Sequence, residues 1–283
     1  MTQLYYRDQV KKFEEYLINE EKSSATIEKY MRDVRGFLTY ISGLSEETSI
    51  CKEHTVEYKK MLSDNGYAPV SINSMLTAVN GFLKFCGFQN LCVKLLKIQR
   101  QIFCREEREL GKVEYRRLIE ASRGTRLFYI IRAIGETGIR VSELQYITVE
   151  AVRSGRAQVR NKNKIRVIFI PKNLQAVLKK YIAETKVKSG SIFVTKGGKP
   201  INRSNIWRDM KSLCKRAGVS AEKVFPHNLR HLFARTFYSI DKDIVRLADI
   251  LGHSSIDTTR IYTVESGAKH ILGLERVQKM LTT

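Results

Sequence analysis

Through the first hundred residues apolar side chains fall at helical spacing, and over about residues 97–111 that spacing is lost, which constrains the fold more than any other feature of the chain. Ile27, Tyr30, Met31, Val34, Phe37, Leu38 and Ile41 follow the candidate N-caps Ser23 and Ser24, with Gly43 just past the end. Ile72, Met75, Leu76, Val79, Leu83 and Cys86 repeat the pattern after Pro69 and Ser71 and stop at Gly87. A shorter helix from Val56 to Leu62 ends at Asn65-Gly66, and Val10, Phe13 and Leu17 mark an opening one. The pattern predicts a small helical bundle over 1–96.

The stretch KIQRQIFCREERELG at 97–111 gains charge as it loses periodicity and reads as a linker. A second domain is expected over 112–283. Helices are predicted at about 113–122 and 126–137, followed by a turn at Gly138. RAQVR and IRVIFI, rich in Val and Ile, flank the polar tip NKNK and predict a β-hairpin. Then come a helix near 172–184, a short strand SIFV, a turn at GGKP, helices at about 204–217, 227–239 and 243–251, and a tail helix near 268–281. The fold class is mainly α: a helical N-terminal bundle, then a mostly helical domain with a small antiparallel sheet.

Charge separates the same two regions. The formal net charge is +21, yet residues 1–104 hold 14 basic and 12 acidic side chains while residues 105–283 hold 36 and 17. A surface basic merely for solubility would not concentrate its excess in one segment, so the partner expected is polyanionic, nucleic acid before membrane. Cys51, Cys86, Cys92, Cys104 and Cys214 are odd in number, form no C-x-x-C pair and sit among apolar neighbours, which points to a reducing, cytoplasmic setting. The N-terminus has no apolar signal core, and no stretch has the 18 or so uncharged apolar residues of a membrane span.

Three clusters in the basic segment carry chemistry: ETGIRVSEL at 136–144, PHNLRH at 226–231 and LGHSSIDTTRIYT at 251–263. Taken singly, each has an ordinary reading. Arg140 and Glu143 would pair one turn apart on a helix surface, His227 and Arg230 would share an exposed face, and Tyr262 is one of 13 tyrosines. Together they are the parts that phosphoryl transfer to a tyrosine requires. A phosphodiester carries one negative charge and gains another in its pentavalent transition state, which two guanidiniums, Arg140 and Arg230, can clamp. A phenol with a reference pKa of about 10 needs help to attack near neutrality. His227 can take its proton, and His253 can donate to the phosphoryl oxygens. The departing 5′-oxygen needs an acid, for which the hairpin tip offers Lys162, the favoured choice, or Lys164. No step needs a metal. The chain has no G-x-x-x-x-G-K-[ST] loop and no H-E-x-x-H. A nuclease built on dispersed carboxylates would leave the Arg, His and Tyr set unexplained.

T-G-I-R-V-S-E-L, H-N-L-R-H and L-G-H-S-S-I-D-T-T-R-I-Y-T, in that order and with His253 nine residues before Tyr262, resemble the tyrosine recombinase (phage integrase) family, most of all its simple two-domain, Xer-like members. The resemblance is strong over about 110–283; the bundle is similar to the family's core-binding domain in size, position and helix content. It implies catalytic roles for Arg140, His227, Arg230, His253 and Tyr262, with Glu143 supporting Arg140. It also implies a two-domain clamp on double-stranded DNA with paired half-sites and a homo-tetramer that exchanges strands through a Holliday junction. A 3′-phosphotyrosine would preserve the phosphate-bond energy, so no cofactor is implied. An accessory DNA-bending protein is a further partner compatible with the resemblance. Two other readings share the residues: a type IB topoisomerase-like enzyme, and a DNA-binding protein without catalysis. The tip NKNKIR is shorter than the usual G-K-G-x-K-x-R, Thr-Val-Glu follows Tyr262 where housekeeping Xer proteins commonly have Thr-His, and no arm-binding domain precedes the bundle. Those departures favour a mobile-element or DNA-inversion role over chromosome-dimer resolution, and replicon resolution is a third role open to such a chain.

Overall fold

The computed structural model describes residues 3–44, 50–98, 108–161, 164–195, 197–253, 255–262 and 267–282. It divides into two compact units, Met1–Arg100 and Gln101–Thr283. Among the described residues no helix is long and apolar enough to cross a membrane.

The first unit is helical: α1 (Gln3–Asn19), α2 (Ser24–Leu44), α3 (Lys52–Asp64) and α4 (Pro69–Phe85), closed by a 3-10 turn at Gln89–Leu91. Ser23 begins α2 by accepting from the Thr26 N–H, and Pro69 begins α4, where its missing N–H costs nothing. The apolar spacing turns Phe13, Phe37, Leu76 and Phe82 inward, all essentially inaccessible to solvent. Phe13 meets Phe82 edge-on at 5.5 Å. Gly43, expected past the end of α2, lies inside it.

Leaving this core, the chain runs extended past Leu91 and is held by side chains rather than by a sheet. Asn80 clasps both backbone groups of Val93, donating to its carbonyl (2.8 Å) and accepting from its N–H (3.0 Å). Asn73, two turns earlier on the same helix, does the same for Leu96 at 2.9 and 2.7 Å. Thr55 and Lys59 of α3 donate to the Leu91 and Lys94 carbonyls at 2.8 Å each. Backbone groups that a neighbouring strand would have paired are thereby satisfied.

The second unit contains α5 (Lys112–Ala121), α6 (Arg126–Thr137), a 3-10 turn (Val141–Tyr146) and α7 (Val149–Ser154), then β1 (Arg156–Asn161) and β2 (Lys164–Phe169). It continues with α8 (Lys172–Thr185), α9 (Arg203–Ala217), α10 (Pro226–Asp241), α11 (Ile244–Leu251), α12 (Ile256–Arg260) and α13 (Gly267–Thr282). α6 packs against α5, α8, α9 and α10, and its buried Ile130, Ile131 and Ile134 lie in one core with Leu178, Met210 and Leu229. β1 and β2 pair antiparallel from Arg156↔Phe169 to Asn161↔Lys164. SIFV, expected as a strand, forms only isolated bridges, Thr148↔Ser191 and Val194↔Pro200. Its two central side chains, Ile192 and Phe193, are both fully buried, so it runs through the core instead of alternating on a sheet.

Candidate active site

Gly138 ends α6 in the left-handed conformation, with φ 67°, and a Cβ there would collide with the Phe233 ring, so the chain turns sharply at a position only glycine fits. Arg140 then caps a 3-10 turn in place of the helix expected there. Glu143, only 2 % exposed, returns its carboxylate to Arg140, accepting from its backbone N–H at 2.8 Å and from its guanidinium at 2.9 Å. The other end of the Arg140 guanidinium donates to the Gly252 carbonyl at 3.2 Å.

Pro226 opens α10, and His227, Arg230 and His231 follow at the spacing that shares one face of a helix. Arg230 is 2 % exposed. It donates to the carbonyls of Gly138 (2.5 Å) and Leu251 (2.7 Å) and to His253 Nε2 (3.0 Å). Among the described residues no carboxylate pairs with it. Burial, and then the nearby Arg140, hold its guanidinium down to about 10, while a hydrogen bond with Tyr262 acts in the opposite direction. A guanidinium cannot accept, so His253 Nε2 is the acceptor and neutral His253 carries its proton on Nδ1, which donates to Thr259 Oγ1 at 2.8 Å. Burial, then Arg230, pushes His253 down to about 4.

α12 begins at Ser255, whose hydroxyl accepts from the Asp257 N–H, and its end delivers Tyr262, 3 % exposed, onto Ala234, Leu247 and Leu251. The Tyr262 ring stands edge-on to His231 at 4.6 Å and stacks on His253 at 5.8 Å. The Nε2 atoms of His231 and His227 lie 2.9 Å apart, so one donates and the other accepts. Burial, followed by Arg230, lowers His227, and burial, followed by His227, lowers His231 to about 4.

The fold of this unit therefore brings together Arg140, Glu143, His227, Arg230, His253 and Tyr262, contributed by segments from 138 to 262. Lys162 lies outside the described residues. Lys164 ends the ladder on β2 opposite Asn161, and its side chain lies outside them as well. Sequence reasoning missed His231, Thr259 and Arg166. His231 stands inside a motif already singled out, one turn beyond His227. Arg166 falls on the same face of β2 as buried Ile168, so a charge at an inward strand position was its signal.

The family model described as "Phage integrase family" matches residues 108–268, and that of the "Phage integrase, N-terminal SAM-like domain" matches 10–87. The chain belongs to the phage integrase family. It is an enzyme, a tyrosine recombinase, and its reaction is site-specific DNA recombination. The recombinase is 30% identical to the tyrosine recombinase XerA of Pyrococcus furiosus, over 93% of this chain and 91% of the relative. Solved structures share its mainly helical fold. XerH in a post-cleavage complex with palindromic difH substrate matches with TM-score 0.73 at 21% identity, over 91% of this chain and 80% of that one. A lambda integrase tetramer on a Holliday junction matches with TM-score 0.72 at 18% identity, over 93% and 77%.

Proposed function

We propose that the recombinase cuts and rejoins double-stranded DNA through a 3′-phosphotyrosyl bond at Tyr262, without a metal, and that Arg140, His227, Arg230 and His253 serve that step. One observation supports this above the others. Arg230 is a cation withdrawn from water whose acceptors are all neutral: two carbonyls, an imidazole and the Tyr262 phenol. Burying a charge without a counter-charge is costly, and the cost is offset when an anion binds there. With Arg140 nearby, and with Glu143 pairing Arg140 and Arg166 but not Arg230, the described residues of the site leave positive charge in excess, which a scissile phosphate would offset.

In the forward step the Tyr262 oxygen bonds to phosphorus and its proton passes to His227, whose depressed basicity keeps the imidazole neutral and able to accept. The bond from phosphorus to the 5′-oxygen breaks, and that oxygen takes a proton from the hairpin lysine, Lys162 in preference to Lys164. Rejoining reverses the step with another strand's 5′-hydroxyl, so no nucleotide is consumed. Arg140 and Arg230 hold the non-bridging oxygens, and Glu143 supports Arg140.

By analogy with XerH on its difH substrate and lambda integrase on a Holliday junction, the full reaction takes paired half-sites and four copies of this chain. In this reading residues 1–96 form the core-binding domain, 97–111 the linker and 112–283 the catalytic domain. The enzyme works in the cytoplasm, serving a mobile element, DNA inversion or replicon resolution. The test is covalent capture. Wild type should yield a denaturant-resistant DNA adduct in the presence of EDTA, and Tyr262→Phe should bind the same DNA and yield none. An adduct that persists in Tyr262→Phe, or that needs Mg²⁺ in the wild type, would overturn the proposal.

A further inference from the structure

The last three carbonyls around the end of α11 each receive a different arginine. Arg230 donates to Leu251 and Arg140 to Gly252, as described, and Arg166 of β2 donates through Nη1 to Ile250. These are carbonyls that a helix end leaves unsatisfied, and the negative pole of the helix dipole favours cations there. Gly252 ends α11 with φ 64°, and a Cβ on it would collide with Cδ of Arg166, so that guanidinium is seated directly against the turn preceding His253.

Arg166 also reaches the other half of the site. Its Nη2 donates to Glu143 Oε2 at 2.5 Å, the same oxygen that accepts from the Arg140 backbone N–H, while Oε1 accepts from the Arg140 side chain. One buried carboxylate thus lies between two guanidiniums. If Arg166 were absent, Glu143 could swing to meet Arg140 with both oxygens. That fork-to-fork pairing would draw Arg140 away from the Gly252 carbonyl and absorb the charge it offers to a phosphate.

We propose that Arg166 is a positioning residue for cleavage: by sharing Glu143 and anchoring the end of α11, it keeps the Arg140 guanidinium turned toward the scissile phosphate. The proposal rests on the phosphotyrosyl reading above. It acts through Arg140, not through contact with DNA, since Arg166 is mostly buried and both hydrogen bonds of its guanidinium end within the unit.

The test is a double-mutant cycle on a DNA substrate that traps the cleaved strand, comparing wild type, Arg140→Ala, Arg166→Gln and the double variant. Arg166→Gln should melt as a folded protein and bind a half-site with unchanged affinity, yet cleave about 10–100-fold more slowly, the loss usual when a residue that orients a functional group is removed. The double variant should cleave no more slowly than Arg140→Ala alone, because two residues that act as one unit are not additive. A methylphosphonate at the scissile position, which lacks one negative charge, should restore Arg140→Ala and Arg166→Gln alike. Losses that multiply in the double variant, or wild-type cleavage by Arg166→Gln, would overturn the proposal for Arg166. Wild-type cleavage by Arg140→Ala would instead overturn the phosphate clamp itself. Should Arg166→Gln fail to fold, Arg166→Lys carries the same cycle, since an ammonium keeps the charge but cannot span both acceptors.

Discussion

In the unit Met1–Arg100 the buried carboxylate, Asp33, is paired with Lys29 and Arg32, and three further polar side chains that reach inward, Thr55, Asn73 and Asn80, donate to neutral carbonyls of one segment, Leu91–Leu96. In Gln101–Thr283 the deeply buried polar groups include Glu143, which Arg140 and Arg166 share, and Arg230, which pairs with no carboxylate among the described residues. The first arrangement is complete without a ligand. The second leaves Arg166 Nε buried without a partner and its cations in excess, an imbalance that supports the proposed site, since folds give up stability where function needs it.

Replacing the unbalanced charge is the severest way to break this contrast. Arg230→Met should slow cleavage by on the order of 10²-fold or more, as removal of a preorganised electrostatic donor does. It should change the unfolding free energy by less than about 2 kcal/mol, because the cation's burial cost disappears along with its bonds. Leu76→Ala, in the core of the first unit, should show the reverse: about 2–5 kcal/mol of stability lost, and normal cleavage by the protein that remains folded on DNA. Denaturant melts beside single-turnover cleavage measure both. If Arg230→Met unfolds the protein, its guanidinium is structural and the contrast collapses.

Asn80→Ala sharpens the comparison from the other side. It strips two partly buried backbone groups of their partners and should cost about 1–3 kcal/mol of stability while cleavage of bound DNA is unchanged. A cleavage defect at full occupancy would mean that the exit segment from the first unit feeds the site.

Acid should weaken the second unit through its histidines. His231 and His253 ionise near 4 in the folded protein, chiefly because burial opposes the imidazolium, against an ordinary value of 6.5. Between those values the unfolded chain binds more protons, so stability is full above about 6.5 and falls as pH drops toward about 4. Denaturant melts at pH 7 and pH 5 should show the loss, and His231→Gln should flatten it. An unchanged slope in that variant would place the acid sensitivity elsewhere.

The mildest perturbation is removal of α13. Ile271, Leu274, Val277 and Leu281, near one face of that helix, are all more than half exposed, so little of the unit's core depends on them. Truncation after Gly267 should leave half-site affinity nearly unchanged in a gel-shift titration, while cooperative binding to a full site and strand exchange are lost, since a second copy is the expected cover for that face. Unfolding, or full recombination by the truncated protein, would refute this.

Much of the proposed site was legible in the sequence because its members sit in short motifs whose spacing is local. Arg140 and Glu143 are one turn apart, as are His227 and Arg230, and such spacing places side chains together whatever the rest of the chain does. Helix positions in both units followed from apolar periodicity for the same reason. The strand expected at SIFV did not form because its neighbours in space, Thr148 and Pro200, offer one bridge each, and periodicity cannot count distant partners. Arg166 is the sharper case. Its alternation with Ile168 says only that it points inward. Its two acceptors lie 23 residues before it, at Glu143, and 84 after it, at Ile250, and a buried arginine takes its role from whatever carbonyl or carboxylate the fold delivers to it. Which residues could do chemistry was set by local order along the chain. Which charges would be left without a counter-charge was decided by packing, because electrostatic balance in a buried site is a sum over neighbours that only the folded chain assembles.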